Sequence, residues 1–198
     1  MQGVRCMEHP IQQFLIWWER AIKDSPLKQK SAVCVSTIDS EGFPAARFVD
    51  LKSVSNDGIV FCTYLDSAKG KEISVCNKVA LTAWWDHIGY QIRVTGRAAP
   101  LPDEEADRYW KTRTTDAQIT THVCEQSQSL ANPNELADKV AAINRDNSLN
   151  PSIRPVNWGG YRVVAHSIEF LTFKEDRLHL RELFTLNDGV WTKSFLQP

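Results

Sequence analysis

Short runs of β-branched and aromatic residues, separated by turn signals at even intervals, most limit the folds open to this chain. The clearest turn signals combine acidic or amide residues with glycine: Asp39-Ser40-Glu41-Gly42, Asn56-Asp57-Gly58 and Asn187-Asp188-Gly189. The spacing predicts strands over residues 32–38, 44–54, 59–64, 79–85, 91–98, 161–173, 177–186 and 190–196. Such a series of short strands is typical of an antiparallel β-barrel.

Helical segments flank these strands. Apolar residues recur at helical spacing between 11 and 22, with Pro10 suited to the first turn and Ser25-Pro26 closing the segment. Further helices are predicted over 67–75, 102–111 and 132–143. We therefore expect a mainly β fold with flanking helices (α+β), in a single domain over residues 1–198 whose residues 1–25 form an N-terminal helical segment.

Composition and charge exclude several classes of function. The net charge is −1, from 23 basic and 24 acidic residues, so no bulk attraction to nucleic acid is expected. Five widely spaced cysteines without a Cys-x-x-Cys pair, and five isolated histidines, argue against disulfides and a metal site. Without a secretory h-region or a long apolar run, we expect a cytoplasmic protein with no membrane partner.

Common catalytic motifs are missing from the sequence. We find no Gly-x-Ser-x-Gly elbow, His-Glu-x-x-His helix, phosphate loop or Gly-x-Gly-x-x-Gly fingerprint, which argues against hydrolases, metalloproteases, nucleotide triphosphatases and Rossmann enzymes. Basic residues on regular elements remain as candidates. Arg177, His179 and Arg181 alternate along a predicted strand, so all three would project from one face and attract an anion, unless that face is merely solvated.

Two further pairs of residues are candidates for a joint role. Tyr109 and Arg113 lie four apart at a predicted helix end and would share one side of it. Arg47 and Lys52 bracket a predicted strand but lie five apart. They would face opposite sides of the sheet unless a bulge or strong twist intervenes, so the spacing leaves their joint role open.

These pieces stand in the order found in pyridoxamine 5'-phosphate oxidases, and the chain resembles that family from about residue 32 to 198. The resemblance rests on Arg47-Phe48-Val49-Asp50-Leu51-Lys52, Ser67-Ala68-Lys69, Gln91, Tyr109 to Ser127, Trp158-Gly159-Gly160-Tyr161-Arg162-Val163, and Arg177-Leu178-His179 with Arg181. It implies a split β-barrel that binds FMN at the interface of a homodimer. Two half-sites would then come from different chains, which would also allow Arg47 and Lys52 to face apart.

The resemblance also implies roles for individual residues. The FMN contacts would be Arg47, Lys52, Thr63, Lys69, Gln91, Gln126, Ser127 and Arg181. The substrate phosphate would be held by Lys52, Tyr109 and Arg113. Arg177 and His179 would line the substrate ring and serve as the catalytic pair. Cationic groups suit phosphate, whereas amides and hydroxyls suit the flavin edge and the ribityl chain.

The chain departs from the family pattern at several of these positions. Ala117 stands where the family usually has a serine for the substrate phosphate. Further departures are Leu171 for a tryptophan, Cys62 for a tyrosine, Ala68 for an arginine, Leu180 for an aspartate, and a C-terminus, 195–198, that lacks the usual arginine. Most of them remove polar groups or aromatic surface around flavin and substrate, which opens the question of the substrate.

The resemblance implies FMN-dependent oxidation of pyridoxamine or pyridoxine 5'-phosphate to pyridoxal 5'-phosphate, with dioxygen as acceptor and hydrogen peroxide as by-product. The protein would orient the substrate, and the cofactor would do the redox chemistry. One alternative is a related FMN oxidase with another substrate, as in phenazine biosynthesis. Another is a flavin- or haem-binding split barrel without turnover, since one fold can carry unrelated functions.

Overall fold

The computed structural model describes residues 9–146 and 149–198, so the first eight residues of the predicted N-terminal segment lie outside the described part. Its elements are α1 (Pro10–Asp24), β1 (Ala32–Ile38), β2 (Pro44–Ser55), β3 (Gly58–Tyr64), α2 (Ala68–Val75), β4 (Lys78–Trp85), β5 (Tyr90–Pro100), α3 (Asp103–Lys111), α4 (Thr115–Val123), α5 (Asn134–Asp146), β6 (Trp158–Thr172), β7 (Leu180–Asn187) and β8 (Val190–Leu196). No helix within the described residues is long and apolar enough to cross a membrane.

Six antiparallel strands close into a barrel in the order β3-β2-β1-β4-β5-β6, because β6 also pairs with β3. Strand β6 is long enough to pair with β3 and also with β7. Its first half, 158–163, pairs with β3, and its second half, 167–172, pairs with β7. The hairpin of β7 and β8 therefore extends the sheet beyond the closed barrel.

The barrel core follows from alternation along the strands, as in β1, where Val33 and Val35 are buried between partly exposed neighbours. Helix α1 buries Ile11 and Phe14 in the same core. A second, smaller cluster lies beside β3 and consists of Tyr64, Trp110 and Trp158, with Cys62 and Tyr109 packed against it. This small cluster supports one wall of the candidate site.

The expected mainly β fold with flanking helices is confirmed, and two local expectations need correction. Helix α4 was not predicted, because it carries few apolar residues; its start is capped by Thr114, whose hydroxyl accepts from the Ala117 N–H at 3.3 Å. The strand expected from residue 177 begins only at Leu180. Arg177 adopts a positive φ of 62° in the preceding turn, which no continuous strand can contain.

Candidate active site

A cleft opens where β2 and β3 separate. The two strands pair only from Leu51 with Phe61 to Ser55 with Gly58; the earlier part of β2 pairs with β1 alone, and the end of β3 pairs with β6. The cleft has a volume of about 490 Å³. It is lined by Arg47, Phe48, Val49, Asp50, Lys52, Cys62, Thr63, Tyr64, Ala68, Lys69, Arg113, Gln126, Ser127 and Trp158.

Arg47 and Lys52 line the same cleft, and Lys52 lies at a β-bulge. Leu51 pairs with Phe61 and Ser53 with Val60, so Lys52 is the extra residue between two consecutive pairs. The side-chain alternation of β2 continues as far as Lys52, and residues from both of its faces line the cleft, so the odd spacing does not separate the two cations. A partner chain is therefore not needed to explain how these two residues can act together.

Lys69 lies at the first turn of α2, which begins at the floor of the cleft. Its side chain is buried, and its Nζ donates to Gln126 Oε1 at 2.7 Å, Thr63 Oγ1 at 3.0 Å and Ser67 Oγ at 3.4 Å. All three acceptors are neutral. Burial, and next the positive charge of Arg47, lower the pKa of Lys69 to about 8. A buried ammonium of this kind is stabilised by an anion in the cleft.

Arg47 is held by a carboxylate that the sequence reasoning missed. Its Nη2 lies 2.7 Å from Glu72 Oε2, and its Nη1 donates to Thr37, which itself donates to the same carboxylate. Glu72 follows Lys69 by three residues on α2, so its place near the cleft could have been read from helical spacing. Its contact with β2 depends on tertiary structure.

Arg113 follows α3 rather than lying on it, and its guanidinium packs against two indoles, 5.5 Å from the Trp110 ring and 5.0 Å from the Trp158 ring. Its Nη2 donates to Ala117 O at 3.0 Å and to Thr121 Oγ1 at 2.9 Å. Within the described residues, its buried Nε has no hydrogen-bond partner. Burial lowers its pKa, so an anionic ligand would stabilise this group as well.

Tyr109 and Cys62 both pack against the small cluster of Tyr64, Trp110 and Trp158. The Tyr109 hydroxyl is 2.9 Å from Ser53 Oγ on β2, and Tyr109 itself does not line the cleft. Burial raises the pKa of the Cys62 thiol to about 12, against the opposing influence of Lys52 and Arg113. The thiol is therefore neutral, and it narrows the cleft less than the tyrosine usual in the family.

The remaining predicted residues form a second group away from the cleft. Gln91, Leu171 and Arg181 stand in register on β5, β6 and β7, so they share one face of the sheet. Arg177 and His179 lie in the turn before β7, which corrects the expectation that they share a strand face with Arg181. His179 Nδ1 accepts from the Lys174 N–H at 3.1 Å.

The structure thus divides the twelve predicted site residues into two sets. Seven line the cleft: Arg47, Lys52, Thr63, Lys69, Arg113, Gln126 and Ser127. Five do not: Gln91, Tyr109, Arg177, His179 and Arg181. Four cations against one lining carboxylate, Asp50, suit a ligand that carries phosphate.

Known proteins resemble this chain over almost its whole length. A family model described as pyridoxamine 5'-phosphate oxidase matches residues 19–145, and one described as the pyridoxine 5'-phosphate oxidase C-terminal dimerisation region matches residues 158–198. A pyridoxine/pyridoxamine 5'-phosphate oxidase of Synechocystis is 36% identical, covering 96% of this chain and 89% of that protein. One from Myxococcus xanthus is 38% identical, with coverages of 96% and 91%.

Two solved structures share the fold. The crystal structure of PhzG from Burkholderia lata, in complex with tetrahydrophenazine-1-carboxylic acid, has a TM-score of 0.88 and 28% identity, covering 96% of this chain and 93% of that one. A pyridoxamine 5'-phosphate oxidase-related, FMN-binding protein from Nostoc punctiforme has a TM-score of 0.78 at 14% identity, covering 96% and 98%. The second likeness shows the fold alone.

Proposed function

This chain belongs to the pyridoxamine 5'-phosphate oxidase family, and from that premise we propose that it oxidises pyridoxamine or pyridoxine 5'-phosphate to pyridoxal 5'-phosphate. The cofactor is FMN, the acceptor is dioxygen, and hydrogen peroxide is released. The family match and the curated relatives of 36% and 38% identity support the activity. The residues that line the cleft support the assignment of FMN as the cofactor.

The buried Lys69 is the observation that carries the FMN assignment. Its ammonium lines a cleft where its hydrogen bonds go only to neutral oxygens, and the nearby carboxylate of Glu72 compensates its charge only in part, since the pKa of Lys69 is still lowered. A phosphate placed between Lys69 and Arg47 would supply that compensation, with Ser127 and Gln126 at hand for hydroxyls and carbonyls of the cofactor. The donor set therefore fits a phosphorylated flavin.

The chain's own residues orient the substrate. Arg113 and Lys52 supply positive charge for the substrate phosphate at the cleft, and Tyr109 supplies a hydroxyl beside it. Arg177 and His179 would hold the substrate ring so that its reacting carbon faces the flavin. When bound, FMN would supply the redox chemistry, as acceptor of a hydride from that carbon and donor of the electrons to dioxygen.

We propose a homodimer in which the cleft of one protomer meets the second group of its partner. Gln91, Arg177, His179 and Arg181 lie apart from the cleft within one chain, and residues 158–198 match a C-terminal dimerisation region. Light scattering of the FMN-loaded protein should give about twice the chain mass of 22.5 kDa. A monomer that retains its flavin would contradict this arrangement. The cytoplasmic location stays a prediction.

A second candidate is oxidation of a partly reduced phenazine acid. The TM-score of 0.88 to PhzG, solved with tetrahydrophenazine-1-carboxylic acid, favours it, as does the absence of a serine hydroxyl at Ala117. A carboxylate could also bind to Arg113, and a cleft without the usual tyrosine at Cys62 leaves room for a larger ring system.

Peroxide release from the purified FMN-loaded protein distinguishes the two candidates. Pyridoxamine 5'-phosphate should give turnover well above that of free FMN, and pyridoxal 5'-phosphate should accumulate in equal amount. Turnover of a dihydrophenazine-type acid alone would favour the second candidate. A colourless protein that leaves the fluorescence of added FMN unchanged would refute both.

A further inference from the structure

Glu169 is a buried carboxylate in the middle of β6 that the proposed chemistry does not use. It is 7% exposed and lies between Ile168 and Phe170, both fully buried on the opposite face of the strand. It shares its own face with Leu171, two residues along. A carboxylate in such a position requires cationic partners.

Two arginines from the neighbouring strands meet this carboxylate. Arg93 on β5 stands opposite Glu169 in register, and its Nη1 lies 3.1 Å from Oε2. Arg181 on β7 donates from Nε to Oε1 at 2.8 Å, and its Nη2 forms an ion pair with the same oxygen at 2.8 Å. Arg93 is 54% exposed, so its ion pair contributes little, whereas the more buried Arg181 is the main partner.

The Arg181 guanidinium is fixed on two sides. Nε donates to Glu169, with Nη2 at ion-pair distance from the same oxygen, and Nη1 donates to the Gln197 carbonyl at 2.9 Å. A guanidinium has five N–H groups. The hydrogen bonds in the described chain use two, which leaves three N–H groups for a ligand in an orientation set by Glu169 and Gln197.

We infer that Glu169 is a positioning residue, which acts through Arg181 to present its remaining N–H groups to FMN bound in the partner's cleft. The inference rests on the proposed function, in which Arg181 contacts the cofactor. An arginine that is already oriented loses less side-chain entropy when the cofactor binds. The other reading is a plain structural ion pair that stabilises the sheet without affecting the cofactor.

A double-mutant cycle on the full-length dimer separates the two readings. FMN dissociation constants are measured by fluorescence quenching for wild type, Glu169→Gln, Arg181→Ala and the double variant. We expect Glu169→Gln to weaken FMN binding roughly tenfold, the loss expected when a charge-assisted hydrogen-bond network is disturbed. On the Arg181→Ala background the same change should alter affinity less than about twofold.

Glu182→Gln is the matched control. Glu182 is the residue next to Arg181 on β7, is similarly shielded, and pairs with Lys193 at 2.5 Å on the other face of the sheet. Removing the charge of Glu182 should leave the affinity for FMN within about twofold of wild type, because sites that do not interact do not couple. At saturating FMN, the visible spectrum of the bound flavin should change in Glu169→Gln and Arg181→Ala but not in Glu182→Gln.

Each other outcome overturns a defined part of the reasoning. Wild type that does not bind FMN overturns the proposed function and this inference with it. Unchanged affinity in Arg181→Ala, or additive losses in the cycle, overturns the inference but leaves the proposed function standing. If Glu169→Gln does not fold, Glu169→Asp keeps the charge with a shorter reach. It should show a loss of FMN affinity that disappears on the Arg181→Ala background, and persistence of that loss would overturn the inference.

Discussion

Replacing Lys69 with methionine should stabilise the apo-protein while weakening its hold on FMN. The fall in the Lys69 pKa from 10.5 to about 8 corresponds to about 3 kcal/mol of unfavourable free energy at pH 7. Methionine removes that penalty but leaves Gln126 Oε1 without its donor, at a cost of about 1 kcal/mol. The net gain of about 2 kcal/mol should raise the Tm by roughly 4–8 °C.

The stability of the apo-protein should also change with pH, in a direction set by the lowered pKa of Lys69. The unfolded chain keeps this lysine protonated up to its usual pKa of 10.5, whereas the folded apo-protein releases the proton near pH 8. The unfolded state therefore binds more protons between these values, and the stability of the wild-type apo-protein rises with pH across that window. In Lys69→Met this contribution to the slope should vanish.

FMN binding should show the opposite trend. The phosphate is a dianion above about pH 7, and it holds the Lys69 proton in the complex. The protonated fraction of Lys69 in the apo-protein falls about tenfold from pH 7 to pH 9, so the wild-type Kd should rise about tenfold over that range. Lys69→Met should bind roughly 10- to 100-fold more weakly at pH 7, without that pH trend.

Fluorescence titration with FMN and thermal unfolding of the apo-protein measure both effects on the same samples. Lys71→Met is the control, because Lys71 lies two residues further along α2 and is exposed. It should change neither Tm nor affinity appreciably. If Lys69→Met binds FMN as tightly as wild type, or its apo-protein is less stable with the same pH trend, the reasoning about the buried ammonium is refuted.

Three further predictions concern the substrate and the barrel. Steady-state kinetics should show Arg113→Ala chiefly raising KM for pyridoxamine 5'-phosphate, whereas Arg177→Ala should lower kcat as well, because it misplaces the reacting carbon. Ala117→Ser adds a hydroxyl beside Arg113 and should lower KM up to about tenfold in the same assay; no change would favour the second candidate substrate. Gly160→Ala would place a Cβ 2.4 Å from a backbone oxygen of β3, and thermal unfolding should show a loss of stability of about 1–3 kcal/mol. In Gly159→Ala the new Cβ would lie 3.5 Å from a flexible leucine side chain, so the loss of stability should be much smaller.

Much of the fold could be read from local patterns in the sequence. The first strand, Ala32–Ile38, has the predicted bounds, and the second helix begins within one residue of the prediction at Ala68. Turn glycines at positive φ, such as Gly42 and Gly189, stand where the turn signals placed them. These features depend on residues within a few positions of each other, so periodicity and turn chemistry suffice to predict them.

The residues of the cleft could be predicted only in part from the sequence. Lys69, Gln126 and Arg113 were proposed as ligands from a resemblance, and the structure brings all three to the same cavity. The bulge at Lys52 could be named only as a condition, because it depends on which residues of β3 pair with β2. The roles of Glu72 and Glu169 were missed, since an acidic residue in a helix or strand usually faces solvent.

The sequence by itself determined most of the elements and their order, because these depend on residue type and short-range spacing, whereas the kind of chemistry came from the resemblance to a family. Only the tertiary structure decided which charges meet. Glu169 reaches Arg93, 76 residues earlier, and Arg181, 12 residues later, through the registers of three strands. The same registers set Gln91 and Arg181 apart from the cleft. A shift of one residue in a strand pairing would turn these side chains to the other face, and no local pattern records that choice.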